Sequence, residues 1–108
     1  MNIQDLHAAA NKEREKADAL RQEAEKCRQK AAASTDNAKT MQQYMNDAQR
    51  YEEKAAVHDQ AAMKFDTQAT TLEAQALELN RQKNEIQNSS QAQIQQLDSK
   101  EKRLRGEA

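Results

Sequence analysis

Residues 48–79 read AQRYEEKAAVHDQAAMKFDTQATTLEAQALEL, and within them Ala48, Ala55, Ala62, Ala69 and Ala76 stand seven apart without a miss. A row of larger residues, Tyr44, Tyr51, Phe65, Leu72 and Leu79, runs beside them at the same period. A straight α-helix drifts out of phase with a seven-residue repeat. So strict a repeat keeps facing one partner only if the helices supercoil left-handed. Toward the N-terminus the pattern recurs in Ala10, Ala17, Ala24, Ala31 and Ala38, flanked by Ile3, Leu6, Leu20 and Cys27. Interaxial distance follows the size of the side chains at the contact, so alanine seams let two backbones come close.

The two alanine rows are ten residues apart, Ala38 to Ala48, so the phase breaks between them. Just before the break lies Ser34-Thr35-Asp36-Asn37, four residues that compete for backbone hydrogen bonds in turns and at helix N-caps. A reversal there sets Ala10 opposite Ala62, Ala17 opposite Ala55 and Ala24 opposite Ala48. Leu6 then meets Phe65, Leu20 meets Tyr51, Cys27 meets Tyr44, and the polar seam pair is Glu13 with His58. A competing reversal near Gln43 pairs all ten alanines. It would set Glu13 against Leu72 and Cys27 against His58, and its turn, Met41-Gln42-Gln43-Tyr44-Met45, holds no turn former. The first register is preferred because local turn chemistry and long-range pairing agree in it.

A third segment follows Asn88-Ser89-Ser90, where Ser90 and Gln93 fit a capping box. Ile94, Leu97 and Leu104 share one face, and Gly106 is placed to end the helix. Folding back about residue 88 brings Leu97 to Leu79, Leu104 to Leu72 and Ile94 near Lys83. The fold expected is all-α: an elongated antiparallel coiled-coil hairpin with two short helices packed along one long central helix, in an oligomer. As a single domain, 1–108, it comprises helix 2–33, turn 34–37, long helix 37–87, connection 88–90 and helix 91–105. Roughly eight large side chains are expected to be well buried, each worth ~1.5–3 kcal/mol.

Composition supports helices and excludes several functions. The 108 residues contain no Pro and one Gly, which argues against a turn-rich β-fold. Of the 39 hydrophobic residues 20 are Ala, too few large ones for a thick core. No apolar run approaches the ~20 residues of a membrane span, and no signal-peptide core is visible. With the single Cys27 this predicts a cytoplasmic chain that does not enter a membrane. Cys27, His7 and His58 fall in different layers, so no metal site is expected, and no catalytic or cofactor motif is present. The chain reads as neither an enzyme nor a cofactor binder. Residues 1–33 carry seven Lys and Arg interleaved with six Asp and Glu, the pattern of a solvated helix face and not of a phosphate-tracking stripe.

Beside the seam on the long helix runs a further row at the same period, Ala56, Met63, Thr70 and Leu77, which neither seam position accounts for. It is the expected partner or oligomer interface. Met41, Tyr44 and Met45 gather at the hairpin tip as an adaptable second contact. In size and hairpin architecture the chain resembles the WXG-type helical hairpins and small coiled-coil components of secretion machines. Those hairpins carry Trp-x-Gly in the turn, whereas this chain has no Trp and a polar turn. The likeness therefore implies architecture alone. The function expected is a helical protein-binding module, an adaptor, inhibitor, chaperone-like clamp or structural component, that recognises another protein and itself helix on helix. One alternative is a hydrophilic stress-type protein, largely disordered until bound, which the low aromatic content fits and the strict spacing does not. The other is a small nucleic-acid-binding regulator, which the interleaved acids oppose.

Overall fold

The computed structural model describes residues 1–86 and 91–106, and within them the chain is all-α with no strand. Three helices follow in order: α1, Ile3–Ala33; α2, Ala38–Glu85; and α3, Gln91–Arg105. The expected capping box rests on Ser90, which lies outside the described residues.

Four of the helix ends have a chemical cause. Before α1, Asn2 and Asp5 cap reciprocally: the Asp5 amide donates to Asn2 Oδ1 at 2.8 Å, and the Asn2 amide to Asp5 Oδ2 at 3.3 Å. After Ala33 the chain turns through 34–37, where the Ser34 hydroxyl donates to the Lys30 carbonyl and the Asn37 amide to the Ser34 carbonyl. Asn37 then starts α2, its Oδ1 accepting the Thr40 amide at 3.1 Å. The reversal thus falls on the polar tetrad. Ala38, numbered with the first alanine row, is instead the exposed first residue of α2, because the turn precedes it. At the far end of α3, Gly106 adopts φ +83°, the left-handed conformation that closes a helix.

The contacts divide the chain into two units, one of Asn11–Met63 and one of Met1–Ala10 with Lys64–Ala108. In the first, α1 and α2 form an antiparallel hairpin. Its buried apolar residues are all alanines: Ala17, Ala24, Ala31, Ala48, Ala55 and Ala62, each at most 3% exposed. The larger flanking residues Leu20, Cys27, Tyr44 and Tyr51 are only half-buried. Three cross-helix contacts join the two helices: His58 with Glu13, Arg21 with Asp59, and Arg28 with Glu52. The first of them is the pairing expected of a turn at 34–37. The alternative near Gln43 would have put Cys27 at His58.

In the second unit the start of α1 and the whole of α3 lie against the C-terminal part of α2. Ile3, Leu6, Ala10, Ala69 and Ala76 are buried, and Leu6 at 2% exposure is the largest fully buried side chain among the described residues. The expectation of about eight well-buried large residues is therefore corrected to two, Ile3 and Leu6. Two packed helices can close over an alanine, but a longer neighbour at the seam edge keeps one side open to water.

The register of α3 also differs from expectation. Lys83 donates to Asp98 at 3.0 Å and to Glu101 at 3.4 Å, where Ile94 was expected. Leu104 shares a groove with Leu79, while Leu72 shares one with Met1 and Leu6. The helix has slipped by about one heptad. Ile94 against Lys83 would press an apolar side chain on an ammonium, whereas the slip pairs that cation twice and still turns leucine toward leucine. The two short helices nonetheless meet end to end: a Cβ on Gly106 would come within 2.9 Å of Asn2 Nδ2 and 3.0 Å of Gln4 Oε1.

Candidate protein-contact surfaces

Seven-residue spacing along one continuous helix determines which α2 residues stand beside the alanine seam. In the Asn11–Met63 unit, Ala56 and Met63 are exposed, Met63 at 66%. In the other unit, Thr70 and Leu77 are exposed, Leu77 at 63%. The Thr70 hydroxyl donates to the Asp66 carbonyl one turn back, which occupies its polar group and leaves its methyl outward. Val57 is a large exposed apolar residue that the sequence reading did not single out. It follows Ala56 directly, outside the seven-residue rows, so periodicity carried no signal for it.

Leu77 has a defined setting. It lines a groove with Ile3, Glu73 and Arg105, where the start of α1 approaches the end of α3. Nearby, His7 Nε2 lies 3.1 Å from a Glu73 oxygen and its Nδ1 3.8 Å from Asp66. These contacts belong to side chains bordering the seam. Arg21–Asp59 and Arg28–Glu52 do the same in the hairpin unit. The sequence reading missed all three cross-helix pairs. That reading followed the seam residues, and these charged partners lie beside the seam and not in it.

At the hairpin tip, Met41 and Tyr44 are half-buried and Met45 is exposed. The Lys30 ammonium stands 5.9 Å from the Tyr44 ring centroid, a cation–π contact joining the end of α1 to the start of α2. The tip therefore presents Met45 as its apolar residue, with Tyr44 engaged from behind.

The polar seam pair comes together as expected. His58 Nδ1 and Glu13 Oε2 are 2.5 Å apart, with Glu13 largely shielded and Lys16 at 3.5 Å from its other oxygen. The hydrogen bond from His58 holds the Glu13 carboxyl below its ordinary value; partial desolvation opposes this and the Lys16 charge assists. In the α2–α3 pair the same logic holds Asp98 low, chiefly through the Lys83 ammonium, and raises Lys83 in return.

Cys27 is a half-buried free thiol at the seam edge. Among the described residues no group of three or more His, Cys, Asp and Glu side chains converges as a metal ion requires. No described helix is long and apolar enough to cross a membrane. Comparison of the chain with family models, curated proteins and solved structures gives no match.

Proposed function

We propose that this chain is a non-enzymatic helical protein-binding module that associates with itself and with another protein through the outer face of α2. The observation that carries the reading is a contrast on one helix. Ala48, Ala55, Ala62, Ala69 and Ala76 are at most 2% exposed, whereas Met63 and Leu77, at the same period, stand about two-thirds exposed. Met and Leu recurring at heptad spacing on an exposed face are what helix-on-helix recognition uses. The half-open seam points the same way, because two thin helices around an alanine seam bury little apolar area and a further helix on the outer face would add some. Adaptor, inhibitor, chaperone-like clamp and structural component all fit this mechanism. The single reduced thiol and the charged, Gln-rich surface suit the cytoplasm.

The test is light scattering behind a sizing column over a range of concentrations, with Met63→Gln and Leu77→Gln compared with the parent. The expected result is a concentration-dependent mass above 12.3 kDa that falls toward the single chain in the double variant while helicity persists. An unchanged mass in that variant would remove the outer face of α2 as the self-contact.

A further inference from the structure

On its other flank, the α2–α3 pair carries a second surface, distinct from the row of Ala56, Met63, Thr70 and Leu77. Leu79 of α2 and Leu104 of α3 floor an open groove, with Lys100 and Arg103 of α3 on one wall and Glu78 on the other. The floor is apolar and the charge on the two walls is unequal. Glu78 is already engaged, accepting from Arg81 at 2.5 and 2.9 Å and from Gln82 at 3.4 Å. On α3, Lys102 pairs with Asp98 and Arg105 with Glu101, and Lys83 pairs with both acids. Lys100 and Arg103 have no ion pair among the described residues, and both are exposed. They also border a polar surface formed with Gln95, Gln96 and Ser99, so the two cations stand between leucines and a row of hydrogen-bonding side chains.

From this arrangement we infer that the α2–α3 groove is a docking site for an acidic amphipathic helix of another protein. Such a helix lays its apolar stripe on Leu79 and Leu104, and carboxylates along one edge meet Lys100 and Arg103. The charge pattern selects this occupant. A basic helix would face Lys100 and Arg103, two cations with no ion pair among the described residues. A nucleic acid would find two cations, Lys100 and Arg103, and, between them and α2, an apolar floor that offers phosphates nothing. The groove shares no residue with the outer-face row, so it stands or falls independently of self-association.

The experiment uses the full chain and a fluorescent helical peptide of about 16 residues, built from Leu, Ala and Glu with leucines on one face. A matched peptide carries Lys in place of every Glu. Anisotropy titrations should show saturable binding of the Glu peptide, weakened by added salt, and none of the Lys peptide. Lys100→Gln combined with Arg103→Gln should weaken that binding by about fivefold, as two exposed charge pairs are lost. Both substitutions are on exposed positions, so circular dichroism should report the parent's helicity. The proposal is overturned if the two peptides bind alike, if the double variant binds the Glu peptide as the parent does, or if the Glu peptide fails to bind. Tighter binding of a single-stranded RNA or of anionic phosphatidylserine vesicles than of the Glu peptide would equally overturn it.

Discussion

Leu6 and Leu77 offer a paired perturbation with opposite outcomes. Both are leucines on helices in the same unit, and truncation to alanine has nearly the same effect on helix propensity at each, ~0.2 kcal/mol in alanine's favour. Their surroundings differ: Leu6 is 2% exposed and Leu77 63%. Removing a buried leucine side chain costs about 2–5 kcal/mol, the spread depending on how far the site can collapse. Leu6 borders an open groove with Met1, Gln68, Thr71 and Leu72, so neighbours and water can fill the space and the cost belongs at the lower end, about 2–3 kcal/mol. Leu77 has only about a third of its surface to lose, which puts Leu77→Ala below ~1 kcal/mol. A gap of ~2 kcal/mol is a factor of about 30 in the unfolding equilibrium. With a urea slope of ~1 kcal/mol per molar, the two midpoints should lie about 2 M apart. The measurement is urea unfolding followed by circular dichroism, at a concentration low enough that association adds nothing. Amide exchange should locate the Leu6→Ala loss in the first turns of α1. Equal midpoints, or a larger loss at Leu77, would refute the assignment of Leu6 to the core and of Leu77 to the surface.

Three further outcomes follow from the same structure. Glu13 is held below its ordinary carboxyl value of 4.5 by the His58 hydrogen bond, so the unfolded chain binds that proton more readily. The stabilisation is therefore fully present above pH ~4.5 and lost as pH falls through the depressed folded value; Glu13→Gln should flatten that acid limb, and an unchanged limb would remove the link. Gly106→Ala places a side chain at φ +83° and should cost about 1 kcal/mol, read as faster amide exchange in the last turn of α3. Asn37→Ala removes the cap on the Thr40 amide and should lower stability by ~1 kcal/mol, with Asn37→Ser restoring most of it.

The residues that proved legible in advance were those under two constraints at once. The turn at 34–37 was marked by its own polar chemistry and, separately, by the pairing of Glu13 with His58 across the seam. Either signal alone would have left the Gln43 reversal open, since that register also pairs alanines. For α3 one constraint was missing. Leu97 and Leu104 are themselves seven apart, so sliding the helix by a heptad puts leucine on leucine again, and hydrophobic pattern could not distinguish the registers. The choice rests with Lys83, whose two carboxylate partners are invisible to a reading that follows apolar residues alone. Degree of burial was misjudged for a different reason. Heptad position says which way Tyr51 or Leu79 faces, but how much water stays beside it depends on how many helices surround it. Of the contact surfaces, the row of Ala56, Met63, Thr70 and Leu77 followed from period, whereas the α2–α3 groove depends on the corrected register and could not have been drawn beforehand.

The alanine seam has a thermal consequence. Alanine gives up no rotamer freedom on burial, so closing the seam is entropically undemanding, but each methyl withdraws little apolar surface from water. Heat capacity of unfolding tracks the apolar surface exposed, and in globular domains it runs near ~12–15 cal/mol/K per residue. A core in which nine of the eleven buried apolar residues among those described are alanine should fall well short of that figure. The curve of stability against temperature is then a shallow dome. Heating should produce a broad, gradual loss of helix, and cooling toward freezing should weaken the chain less than it weakens a protein with a leucine-rich interior.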